Sequence, residues 1–201
     1  MRTVAAPDAS GWYKTPMPSN PTVRTADIAA RPWRNGGGTT RELLARPAGD
    51  VWRVRVSVAD VVADGPFSSF PDVSRWFAVI DGAGVVLAVD GVEHRCTPGS
   101  EPLAFTGEAD THSRLIDGPT RDLNLMLRGA RGAMRRVVAG HPFRPATSEC
   151  GLFASAAGFV RTGESDEAMP TDALRWWPAA PESLAFDGAG WWLTAELAPA
   201  P

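Results

Sequence analysis

The sequence predicts an all-β fold, a sandwich or barrel, on three observations. Short apolar runs alternate at period two, the pattern of half-buried strands whose successive side chains point to opposite faces. The 20 glycines and 18 prolines are spread through the 201 residues and, with Asp, divide these runs at turn-like intervals. Helical periodicity is nearly missing, the best candidate being a short stretch around Thr25 to Ala30. Many short strands with hardly any helix belong to the sandwich and barrel architectures.

Composition narrows the function classes. Apolar residues at 44% and charged residues at 21% describe a soluble globular chain, long enough for one large domain or two small ones. A net charge of -3, without a basic stripe, argues against a nucleic-acid partner. Lys14 is the sole lysine, so the remaining cations are arginines, whose planar fork suits carboxylates. Cys96 and Cys150 lie outside any C-x-x-C or Cys/His spacing and are expected as reduced thiols. The N-terminus lacks the apolar core of a signal peptide, and the apolar run from Val79 to Val89 is broken by Asp81 and Gly82. A cytoplasmic protein without a membrane span is expected.

Along the chain, residues 1-22 form a proline-rich tail in which Trp12 and Tyr13 supply an apolar anchor. The clearest strand is Val51 to Ala59, with Trp52, Val54, Val56 and Val58 on one face and Arg53, Arg55 and Ser57 on the other. Trp76 to Ile80 and Val85 to Val89 flank Asp81 to Gly84 and read as a hairpin. A turn at Asp90 and Gly91 leads into Val92 to Cys96, and Leu103 to Phe105 and Ser113 to Ile116 are further strands. Leu123, Leu125 and Leu127 alternate with Asp122, Asn124 and Met126, so the polar pair shares a face opposite the leucines. After Ala139 the pattern weakens until Trp191 to Leu197, a closing strand behind the turn at Asp187 and Gly188.

Three clusters carry the candidate chemistry. Trp33 to Glu42 reads WRNGGGTTRE, which lacks the P-loop spacing and its lysine. It serves either as a strand connection or as a pocket wall, the latter favoured by an aromatic, a guanidinium and polar donors standing together. Gly65 to Asp72 reads GPFSSFPD and, stiffened by two prolines, leads through Arg75 into an apolar strand. Gly118 to Met126 reads GPTRDLNLM, whose Asp122 and Asn124 face either a lumen or solvent. His94, His112 and His141 form no H-x-H pair, so no metal site is expected. A nucleophile elbow is absent too, and no hydrolase triad is supported.

Taken together and in this order, the three clusters resemble the HutD/Ves family, with GVEHR from Gly91 and PLAFTGE from Pro102 resembling its middle part. The likeness runs from about Ala26 to Val138 and loosens from His141 onward. It implies a cupin-like (RmlC-like jelly roll) fold in a bicupin arrangement: a first barrel over residues 23-138 and a second, degenerate half over 139-201. It also implies a homodimer in some members and a link to histidine utilisation. The ligand pocket it implies falls on Trp33, Arg34, Asn35, Gly36, Gly37, Thr39, Phe70, Arg75, Asp122 and Asn124. The turn after Gly65 offers Ser and Phe where metal-binding cupins carry histidines, so a metal-free barrel without cofactor is expected. The expected function is binding of a small carboxylate or acyl amino acid such as N-formylglutamate, with Arg34 or Arg75 taking the carboxylate, by a sensor or regulator of metabolism. The alternative is a metal-independent isomerase or epimerase whose acid and base come from Glu42, Asp122 or His112.

Overall fold

A computed structural model describes residues 21-197, so the anchor proposed at Trp12 and Tyr13 lies outside the described residues. Among the described residues eighteen strands form four sheets. The six-stranded sheet has the order β2 (Arg31–Pro32), β3 (Gly38–Arg46), β4 (Val54–Val61), β11 (Thr120–Arg128), β6 (Val73–Asp81), β9 (Leu103–Thr106). Facing it is a four-stranded sheet of β5 (Gly65–Pro66), β10 (Thr111–Leu115), β7 (Val85–Val89) and β8 (Val92–Cys96). The five-stranded sheet runs β1 (Thr22–Arg24), β16 (Ala173–Trp177), β13 (Glu149–Ala154), β18 (Gly190–Leu197), β12 (Ala130–Arg136). Last come β15 (Ser165–Met169), β14 (Gly158–Thr162) and β17 (Leu184–Phe186) in a three-stranded sheet.

Side-chain alternation stacks these sheets. Val54, Val56 and Val58 of β4 and Leu123, Leu125 and Leu127 of β11 pack against Phe153, Leu174, Trp176, Trp191 and Leu193 of the five-stranded sheet. The six- and five-stranded sheets therefore stand back to back. Neighbouring tryptophans point to opposite faces of their strand, so Trp177 and Trp192 fall in a second core with Val160, Met169, Leu184 and Phe186. A third core, around Phe77, Val79, Val85 and Leu87, joins the six- and four-stranded sheets. Leu125 is fully buried in the middle of the stack. Leu125→Ala is expected to cost about 2–5 kcal/mol in chemical denaturation, the usual range for truncating a core leucine.

Several expectations change. Asp81 to Gly84 does not close a hairpin: β6 pairs with β11 and β9, whereas β7 pairs with β10 and β8. The turn instead carries the chain from one sheet to the facing one. Gly82 and Gly84 both have positive φ, and a side chain on Gly84 would strike the Cys96 carbonyl. The helix candidate reduces to one 3-10 turn, Thr25–Asp27. The strand expected from Val51 begins at Val54; Trp52 turns to the other side and packs with Val73 and Met126. The stretch after Ala139, where the pattern weakens, holds six strands, of which the closing one, Gly190–Leu197, was expected. The division expected between 138 and 139 does not separate the sheets, because β1 and β12 form both edges of the five-stranded one. Among the described residues no helix is long and apolar enough to cross a membrane.

Candidate functional site

The middle strands of the six-stranded sheet turn their polar faces into one cavity. In register, Asp122 stands beside Ala59, Asn124 beside Ser57 and Met126 beside Arg55, and Met126 also neighbours Arg75 on β6. All of these line a cavity of about 610 Å³, within the range of small-molecule sites. The loop from Arg31 to Asn35 forms one side of its rim, and Phe67, Ser68 and Phe70 form another.

The glycine run shapes that rim. Asn35 Oδ1 accepts a hydrogen bond from the Gly37 N–H at 3.1 Å, and Gly36 takes a positive φ of 73°. Gly38 has no room for a side chain, since a Cβ there would be driven into the Asp60 carbonyl and crowd the Trp33 ring. The Trp33 ring is fixed by its Nε1 donating to Thr40 Oγ1 at 2.7 Å and by an edge contact with Phe67 at 6.3 Å. Gly38→Ala is therefore expected to destabilise the fold by about 1–3 kcal/mol through overpacking. A urea midpoint equal to wild type would show that the rim yields without strain.

Arg75 is 6% exposed and, among the described residues, forms no ion pair. Its Nη2 donates to Asn124 Oδ1 at 3.2 Å, while Nε has no partner. The rings of Phe105, Phe67 and Phe70 surround the guanidinium at 5.0, 5.2 and 5.6 Å. Cation–π attraction offsets part of the desolvation cost. Burial first, then the charge of Arg55, lowers its pKa to about 10, so it stays a cation at neutral pH. Nearby, Arg55 is neutralised by Glu42 at 2.7 Å.

Asp122 is completely buried, and neither carboxyl oxygen has a hydrogen-bond partner. The adjacent hydroxyl of Thr120 donates instead to the Asp81 carbonyl at 2.7 Å. Burial foremost, opposed by the neighbouring Thr120 hydroxyl and aided by the negative charge of Asp60, pushes the Asp122 pKa well above the usual carboxylate range. The wall thus presents a cation on β6 bonded to Asn124 and, two residues before Asn124 on β11, a buried acid whose surroundings favour its protonated form.

Of the ten residues expected in the pocket, Trp33, Arg34, Asn35, Phe70, Arg75, Asp122 and Asn124 line it. Arg34 and Asn35 sit exposed at the rim, so of the two arginines considered only Arg75 is buried. Gly36 and Gly37 shape the loop without lining the cavity. Thr39 points away and donates to Asp60 Oδ2 at 3.1 Å, and Thr40 occupies the cavity face in its place. His112, weighed as an acid or base, is exposed on β10 and outside the lining, in contrast to Glu42 and Asp122. Arg55 and Ser57 were missed, although period two had already set them opposite Val54 and Val56. Phe67, Ser68 and Met126 line the cavity as well. Among the described residues no cluster of three or more His, Cys, Asp or Glu side chains is arranged to hold a metal ion.

HutD from Pseudomonas fluorescens SBW25 superimposes with a TM-score of 0.79 at 29% identity, covering 89% of this chain and 99% of that one. Protein Ves from Cronobacter sakazakii is 29% identical over 153 residues, 76% of this chain and 83% of its own. An uncharacterised 21.2 kDa protein from the hutC 3' region of Pseudomonas putida is 37% identical over 107 residues, 52% of this chain and 56% of its own. At the level of fold alone, a cupin 2 conserved barrel domain protein from Leptotrichia buccalis matches with a TM-score of 0.56 at 8% identity. The HutD family model matches residues 25–193, and the chain belongs to the HutD family.

Proposed function

We propose that the protein binds a small carboxylate or acyl amino acid in this cavity and serves as a sensor or regulator of metabolism. The observation that carries the proposal is Arg75: a buried guanidinium without a counter-ion, facing a cavity of ligand size. A carboxylate would supply the missing charge through charge-assisted hydrogen bonds, in surroundings dry enough to strengthen them. Two relatives carry hut designations, which supports N-formylglutamate or another metabolite of histidine degradation as the ligand. Calorimetric titration of N-formylglutamate, urocanate and glutamate into wild type and Arg75→Ala tests this. Equal heats for both proteins would remove Arg75 from the site.

A second reading has one observation in its favour. Asp122, a buried acid, and Glu42, ion-paired with Arg55, line the same cavity, and two carboxyl groups in different environments are the equipment of a metal-independent isomerase or epimerase. Such an enzyme would wash deuterium from D2O into the Cα position of a bound acyl amino acid. An unchanged proton spectrum after prolonged incubation leaves the binding reading standing.

A further inference from the structure

Asp122 has no role in the carboxylate reading above, yet it is a wholly buried acid in the cavity wall. It projects on the cavity face of β11 with Asn124 and Met126, is wholly buried, and leaves both oxygens without a partner. The surrounding groups are all engaged elsewhere. Thr120 donates to Asp81, Arg75 to Asn124, and Asp60 is held by Arg41, Arg121 and Thr39. An ionised carboxylate here would have only the Thr120 hydroxyl beside it, already given to Asp81, and would face the charge of Asp60, so burial favours the protonated form, which has one O–H to give.

A buried donor without an acceptor is a deficit that a ligand filling the cavity makes good. An ammonium group has no lone pair to accept that proton. A second carboxylate would bring a negative charge towards Asp60. An uncharged acceptor meets neither objection.

We propose that Asp122 is the specificity-determining residue of the cavity, donating its carboxylic O–H to the acyl carbonyl oxygen of a ligand whose carboxylate rests on Arg75. This rests on the carboxylate reading above and narrows its ligand class to N-acyl amino acids over free ones.

The test compares wild type, Asp122→Asn and Asp122→Leu by calorimetric titration with N-formylglutamate and with glutarate, which keeps both carboxylates but lacks the formamido group. An asparagine N–H can replace the acid O–H, so the Asn variant is expected to bind N-formylglutamate within about threefold of wild type. The Leu variant should lose about tenfold or more, the effect of leaving one buried polar group unpaired. Glutarate should lose much less in the Leu variant. Melting curves check that both variants fold, and Asp122→Ala replaces the Leu variant if it does not.

Asn and Leu variants equally impaired with N-formylglutamate would mean that an ionised carboxylate is required, which overturns the proposal. So would a Leu variant that binds both probes as wild type does. Wild type binding neither probe, or Arg75→Ala binding both unchanged, overturns the carboxylate reading itself.

Discussion

Arg75→Ala is expected to weaken binding of N-formylglutamate by at least about a hundredfold in calorimetric titration. Two charge-assisted hydrogen bonds are lost, each contributing about 1.5–3 kcal/mol, and every 1.4 kcal/mol is about tenfold in affinity. Stability should move the other way. The guanidinium is buried without a counter-ion, so Arg75→Met, which keeps an unbranched stem among Phe67, Phe70 and Phe105, is expected to melt at or above the wild-type temperature. Loss of binding together with loss of fold would mark Arg75 as a structural strut.

Asp122→Asn is expected to stabilise the protein at neutral pH, with a gain that shrinks on acidification. The pKa of Asp122 is raised in the folded state, so above the unfolded value of about 3.9 the folded chain holds a proton that the unfolded chain releases. Its contribution is fully present at or below that pH and is lost as pH rises through the folded pKa. Within that window wild type should lose stability relative to Asp122→Asn by about 1.4 kcal/mol per pH unit. Urea midpoints from pH 4 to 8 give the slope directly. A constant offset between the two proteins across that window would show that the carboxyl ionises normally in the fold.

The sequence made the strands legible where one face is buried and the other meets a polar cavity. The alternation in Asp122 to Leu127 located both the leucine core and the polar wall, because a period of two leaves each residue only one face to choose. It failed where a local signal serves two geometries. Asp81 to Gly84 has hairpin composition, but what sets its path is the close approach of Gly84 to Cys96, twelve residues later in the chain and invisible locally. Ser165 to Met169 is almost wholly exposed and so carries no apolar alternation to reveal β15. In the site, Thr39 and Thr40 are chemically alike, and only the pairing of Thr40 with Ala59 shows which one looks inward. Arg55 stands in a strand, away from the glycine- and proline-rich runs, so its local sequence carries no sign of a pocket.

The crossed allegiance of the first and twelfth strands has a consequence for how this protein is inherited and handled. Severing the chain near residue 139 would strip the five-stranded sheet of both its flanks, exposing unpaired backbone on either side, and would split the leucine–tryptophan core between two products. Raw β-edges of that kind recruit other chains, so halves made separately should precipitate together more readily than they fold apart. The two halves of the described chain thus hold one sheet and one core in common.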